Sequence, residues 1–157
     1  NLPDIDGMVI VTTPQDVALL DSRKSITFAN SLKVDVIGVI ENMSGYTIRG
    51  KAPAGAEIEL AAPGGKTVKA QADSDGNWAG TLDIFKSGGG EKTANEFKVP
   101  FLGKLPFDPG FVRGGDDGVH RIVSEPDGPS SEAFSKVVAK IQERVESGST
   151  EGGLEII

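Results

Sequence analysis

Apolar residues along the chain follow two rhythms, and the change between them falls near Tyr46. Residues 8–12 (MVIVT) and 34–40 (VDVIGVI) are short, nearly continuous apolar runs, the pattern of strands covered on both faces of a parallel sheet. Between them TPQD reads as a helix start, with Thr13 as N-cap, Pro14 at the first helical position and Asp16 completing a capping-box-like pair. Val17, Leu20, Phe28 and Leu32 supply an apolar face for a helix that runs to about Leu32. Strand, helix and strand joined by short links form a crossover unit and point to an open α/β sheet.

From Tyr46 to Leu82 the pattern alternates apolar and polar residues and is cut by turn dipeptides. Residues 56–61 and 67–72 show period-two alternation around Pro63-Gly64-Gly65, which reads as a hairpin. Asp75-Gly76-Asn77 marks another turn before residues 78–82, so a small antiparallel insert of three or four strands is expected. Its strings APAGAEIEL and ADSDGNW resemble the first half of the Ig-like repeats of bacterial surface proteins. The α/β texture then resumes, with a short helix over about 91–97, a strand over 99–105 and a Gly/Asp-rich stretch to Gly118. Residues 129–146 form the strongest helix, with Phe134, Val137, Val138, Ile141 and Val145 on one face. The expected organisation is 1–45 and 83–147 as two parts of one α/β half-domain, 46–82 as the β-rich insert and 148–157 as a flexible tail. Leu154, Ile156 and Ile157 in that tail are candidates for an edge strand.

Composition narrows the function classes. A chain of 157 residues holds one domain with a core, or one domain with a small insertion. Its 21 glycines imply much loop, and a formal charge of −7 argues against nucleic acid or an anionic membrane as the main partner. The apolar runs are far too short for a membrane span. Without cysteine there is no disulfide, no thiolate metal site and no cysteine nucleophile. A single histidine, His120, excludes a multi-histidine metal site. No catalytic residue and no metal ligand is assigned.

Several short motifs carry candidate chemistry. Asn42 follows an apolar strand at the carboxyl edge of the expected sheet, where open α/β sheets bind ligands. Its carboxamide both donates and accepts, as an adenine edge requires, although on spacing alone an Asn that simply closes a strand is the better account. Pro106, Phe107 and Asp108 end the next strand in a rigid turn, a suitable wall for a flat base or an ordinary strand-to-helix turn. Thr12, Thr13 and Gln15 lie where a strand meets a helix N-terminus, a natural place for an anion or a helix start with no ligand. SGGGEKT imitates a phosphate-binding loop, but Glu91 stands where that motif needs Gly before Lys, so a turn into a helix is the better account. Asp73-Ser74-Asp75-Gly76-Asn77 begins like a calcium loop, yet Trp78 and Ile84 occupy positions where an EF-hand needs Gly and Glu, and a hairpin turn is expected. Arg113, Asp116 and Asp117 read as solvated loop charge.

Taken together, the run of residues 7–45 ending in ENMSG, the SGGGEK segment and FLGKLPFDP resemble the C-terminal half of the Mrp-type ATPases. These belong to the MinD/ParA branch of P-loop proteins and carry iron–sulfur clusters. The resemblance covers about three quarters of the chain and implies a partial P-loop NTPase-like fold: a mostly parallel sheet with helices, plus the antiparallel insert. It implies that Asn42 contacts adenine and that Pro106, Phe107 and Asp108 pack on adenine and ribose; Thr13, from its place at the strand edge, is kept with them as a cofactor-binding candidate. ATP with magnesium is then the implied cofactor, provided an N-terminal half or second subunit supplies the phosphate side. A homo-oligomer in the cytoplasm is implied as well. Two departures limit the carry-over. The P-loop and the acidic magnesium-binding strand are absent, so ATP hydrolysis by this chain alone is not expected. Mrp-type carriers have a C-x-x-C pair after ENMSG, where this chain has Thr47, Ile48, Arg49 and Gly50, so an iron–sulfur cluster is not expected here. Two other readings stand beside this one: a non-catalytic interaction module recognising its partner through the insert, and a recombined or truncated sequence that keeps the fold without the activity.

Overall fold

A computed structural model describes residues 5–151, the last three by backbone alone. Three parallel strands form the central sheet: β1 (Met8–Thr12), β2 (Val36–Glu41) and β7 (Phe101–Lys104), in the order β1-β2-β7. Every residue of β2 is buried, as its apolar run requires of a central strand. Helices α1 (Asp16–Ser31) and α2 (Gly89–Phe97) cover one face, closing a core of Ile10, Ile26, Ala29, Val36, Val39 and Ala94. Helix α5 (Pro129–Glu151) covers the other through Val137 and Ile141, packed on Ile40 and Leu102. The α/β architecture is therefore as the sequence pattern predicts.

Four antiparallel strands lie between β2 and α2, as two ribbons. One pairs β3 (Tyr46–Lys51) with β6 (Asn77–Leu82), and the other pairs β4 (Glu57–Ala62) with β5 (Lys66–Gln71). Alternation along β4 puts Ile58, Leu60 and Ala62 inward and Glu57, Glu59 and Ala61 outward. The ribbons meet where Leu60 lies against Gly80, whose position has no room for a Cβ, and Trp78 likewise lies flat over Gly50. The DSDGN segment is a turn: the Asp73 carboxylate accepts the backbone N–H groups of Asp75 and Asn77 at 2.9 and 2.8 Å.

Five expectations are corrected. Helix α1 starts at Asp16 with Gln15 as its N-cap and no side-chain cap, so Thr13 does not cap it, and Asp16 pairs with Lys86 instead. The face of α1 turned to the core is Leu19, Ser22, Ile26 and Ala29, whereas Val17, Leu20, Phe28 and Leu32 are 74, 55, 59 and 55% exposed. The stretch before Gly118 is not loop but helix α3 (Pro109–Asp117), followed by α4 (Arg121–Ser124). Asp108 caps α3 through the N–H of Gly110, Pro109 occupies its first turn, and Gly118 closes it at φ +70°. Those terminal signals outweigh the low helix propensity of its internal glycines. On α5, Val137 is buried but Val138 is 36% exposed, so Val138 lies off the core face. The helix runs to Glu151, past the expected start of the tail, and Leu154, Ile156 and Ile157 lie outside the described residues.

Candidate functional site

Two loops are zipped together at the carboxyl ends of β2 and β7. Asn42 continues β2 by donating its N–H to the Thr12 carbonyl at 2.7 Å. The Ser44 N–H then donates to the Leu105 carbonyl at 2.9 Å, Leu105 N–H to Glu41 at 2.8 Å, and Phe107 N–H to Gly45 at 2.8 Å. Between these loops opens a pocket of about 220 Å³, walled by Asn42 and Met43, by residues 105–108, and by Phe111 and Phe134. Its lining is mostly apolar with a few polar groups, the usual make-up of a site for a flat organic ligand.

Four of the five sequence-predicted residues, Asn42, Pro106, Phe107 and Asp108, converge on this pocket. Thr13 does not: it lies with Thr12 in a groove along the open edge of β1, which Asn42 also lines, and its hydroxyl donates to the Gln15 side chain. The Asn42 side-chain oxygen accepts the Met43 N–H at 2.9 Å, so the strand-closing role is real. A carboxamide oxygen has a second lone pair, and the NH₂ group adds two donors, so this bond leaves capacity for a ligand. Met43 is held at φ +56°, a left-handed conformation costly for a side chain of its size. Asp108 is more committed. Its carboxylate caps α3 and meets Arg121 Nε at 3.2 Å. Partial burial pushes its pKa up, but the Ser130 hydroxyl, the Gly110 N–H and the Arg121 guanidinium together hold it below the usual carboxylate range. A ribose hydroxyl would have to share it with those donors.

The residue that sequence reasoning passed over is Glu41. It is fully buried at the end of β2 and takes three donors: the Ser44 hydroxyl at 2.6 Å, the Gly88 N–H at 3.0 Å and the Gly90 N–H at 2.7 Å. Burial alone would raise its pKa, and the three hydrogen bonds reverse that and lower it, so the group is held ionised. Gly90 has to be glycine for the approach, since a Cβ there would sit 2.9 Å from the Glu41 Cβ. The amino end of α2, the one place where SGGGEK imitates a phosphate cradle, is thus filled by an internal carboxylate. Glu91, in contrast, points out and lies 3.9 Å from Lys104. A charged residue ending an otherwise apolar strand, with a glycine run downstream to supply free N–H groups, was the available signal.

Among the described residues no group of three His, Cys, Asp or Glu side chains is placed to hold a metal, and no helix is long and apolar enough to cross a membrane. A chain without cysteine provides no thiolate for a cluster.

Comparisons with known proteins find relatives in sequence and in fold. The family model described as ParA, NUBPL iron-transfer P-loop NTPase, matches residues 1–74 and 72–142. An iron–sulfur cluster carrier protein of Methanococcus maripaludis is 39% identical over 144 residues, covering 92% of this chain and 40% of that protein. The one from Methanocaldococcus jannaschii is 38% identical, covering 93% and 40%. The chain therefore spans about two fifths of the length of these relatives. Among solved structures, the cell division ATPase MinD of Pyrococcus furiosus superposes with a TM-score of 0.54 at 18% identity, covering 88% of this chain and 43% of that one. The septum site-determining protein MinD of Pyrococcus horikoshii, solved with Mg-ADP, gives 0.55 at 16% identity, covering 96% and 45%. At these identities the structural likeness speaks to the fold.

Proposed function

The chain belongs to the ParA/NUBPL iron-transfer family of P-loop NTPases, and we propose that within it the chain is the base-binding half of an iron–sulfur cluster carrier ATPase. The observation that carries this reading is the pocket joining Asn42 to Pro106, Phe107 and Asp108 at the carboxyl edge of a parallel sheet. Adenine lies between residues 105–108 and Phe111, with the Asn42 carboxamide on its polar edge. ATP with magnesium is held productively only when an N-terminal portion supplies the phosphate side, on the same polypeptide or on a second subunit. The open edge of β1 receives that portion: among the described residues β1 pairs only with β2, and a groove of about 520 Å³ runs along it, flanked by the small residues Ala18, Ser22 and Ser25 of α1. In this reading residues 1–45 and 83–147 form one α/β half-domain, and 46–82 is an insert standing where cluster-binding relatives of Mrp type carry their cysteines. The working assembly is a cytoplasmic homo-oligomer.

Isothermal titration of the purified chain with adenosine tests the base site. Adenosine is expected to bind weakly and Asn42→Ala to weaken it about 10-fold, the scale of a lost hydrogen bond whose partner stays buried. An Asn42→Ala variant that binds as tightly as the parent overturns the assignment. The chain alone is expected to show no magnesium-dependent ATP hydrolysis above background in a phosphate-release assay, because it lacks the groups that hold the transferring phosphoryl.

A further inference from the structure

The ring of Phe107, one wall of the pocket, is gripped from outside the pocket by both roots of the insert. Tyr46, first residue of β3, stands edge-on to it with ring centroids 5.7 Å apart at 76°. Phe85, three residues beyond β6, makes a second near-perpendicular ring contact with it at 6.3 Å and 75°. The two roots are tied together, since Tyr46 pairs with Leu82 across the first ribbon. The backbone of Phe107 is pinned as well, by its N–H to the Gly45 carbonyl, immediately before Tyr46. A phenyl ring with one backbone anchor keeps freedom about its own side-chain torsions. Two perpendicular neighbours remove that freedom, because each edge-to-face contact favours one tilt.

We propose that Tyr46 and Phe85 are positioning residues, which fix the tilt of Phe107 so that its face meets a planar heteroaromatic ring in the pocket. The proposal rests on the base-site reading above. It makes the insert part of the binding apparatus: Tyr46 at its entry strand, with Phe85 just past its exit strand, orients a wall that would otherwise be loose. The contact runs through ring edges, so a phenyl group at position 46 serves as well as the phenol.

The test is titration of the ¹⁵N-labelled full chain with adenosine, followed by amide shifts of Asn42 and Phe107, for the parent, Tyr46→Ala, Tyr46→Phe and Phe85→Ala. Ribose 5-phosphate, which lacks the base, is titrated in parallel. Circular dichroism of Trp78, the only tryptophan, reports whether each variant keeps the insert folded. The expected result is adenosine affinity about 3- to 10-fold weaker in the two alanine variants, in line with loss of one aromatic pair. Tyr46→Phe should match the parent, ribose 5-phosphate shifts should be the same throughout, and the Phe107 amide should exchange hydrogen faster in Tyr46→Ala. Folded alanine variants that bind adenosine as the parent does overturn the positioning role and leave the base site standing. A parent chain whose Asn42 and Phe107 signals ignore adenosine overturns both. If the alanine variants unfold, Tyr46→Leu decides: it keeps apolar bulk without a ring, and parental affinity in it overturns the proposal.

Discussion

Glu41 sets the local chemistry at the residue scale. A buried carboxylate is tolerable only when its lone pairs are met, and here two backbone N–H groups and a hydroxyl meet them. Glu41→Gln keeps the shape but turns an NH₂ toward those donors, so a loss of about 2 kcal/mol in urea unfolding is expected. The pH dependence has a definite sign. The carboxyl titrates lower in the folded chain than its ordinary value of 4.5, so its stabilisation is complete above that value and is lost as pH falls through the lower folded one. Asp108, also lowered, adds to the same acid limb. Stability should therefore fall in the acid range below about pH 4.5, and more shallowly in Glu41→Gln; equal acid slopes in both chains would contradict the assignment. One buried group lacks such matching: the Thr93 hydroxyl on α2 has no hydrogen-bond partner among the described residues.

Among the elements, α3 shows how end signals make a helix from poor material. Its first turn depends on Asp108, which also holds Arg121 and so fastens the chain after α3 to the chain before it. Asp108→Ala is expected to cost about 2 kcal/mol and to loosen the pocket wall at Phe111, read as faster amide exchange across α3. Asp108→Asn should recover most of the capping but not the ion pair, placing its stability between the two. A serine or asparagine helix start is easy to see in a sequence. Asp-Pro-Gly followed by two glycines and two aspartates also reads as loop, because the capping bond forms only after the chain has turned. Helix α1 shows the converse. Its apolar stripe of Val17, Leu20, Phe28 and Leu32 was legible, yet the sheet receives Leu19, Ile26 and Ala29 instead. Helical periodicity reveals that a face is apolar, while which face is covered depends on what lies opposite it.

For the whole molecule, that exposed stripe on α1 and the edge of β1, unpaired among the described residues, are surfaces without a partner. Apolar area of this kind promotes association. Sedimentation velocity should show concentration-dependent self-association, reduced by the double substitution Leu20→Lys and Phe28→Lys with little change in stability, since both side chains are more than half exposed. A concentration-independent monomer would count against an unpartnered face. Much of the architecture was legible before folding was considered: continuous apolar runs read as strands of a parallel sheet covered on both faces, period-two segments around Pro-Gly-Gly read as a hairpin, and a chain without cysteine offers no thiolate to a cluster. That Asn42, Pro106, Phe107 and Asp108 share one pocket was legible too, because they lie just past the ends of neighbouring strands. The assignment of Thr13 to another groove, the burial of Glu41 under α2 and the ring contacts of Tyr46 and Phe85 with Phe107 were not. Each joins residues far apart in sequence or depends on the direction of a side chain. Local pattern determines which elements form, and only their packing decides which groups meet.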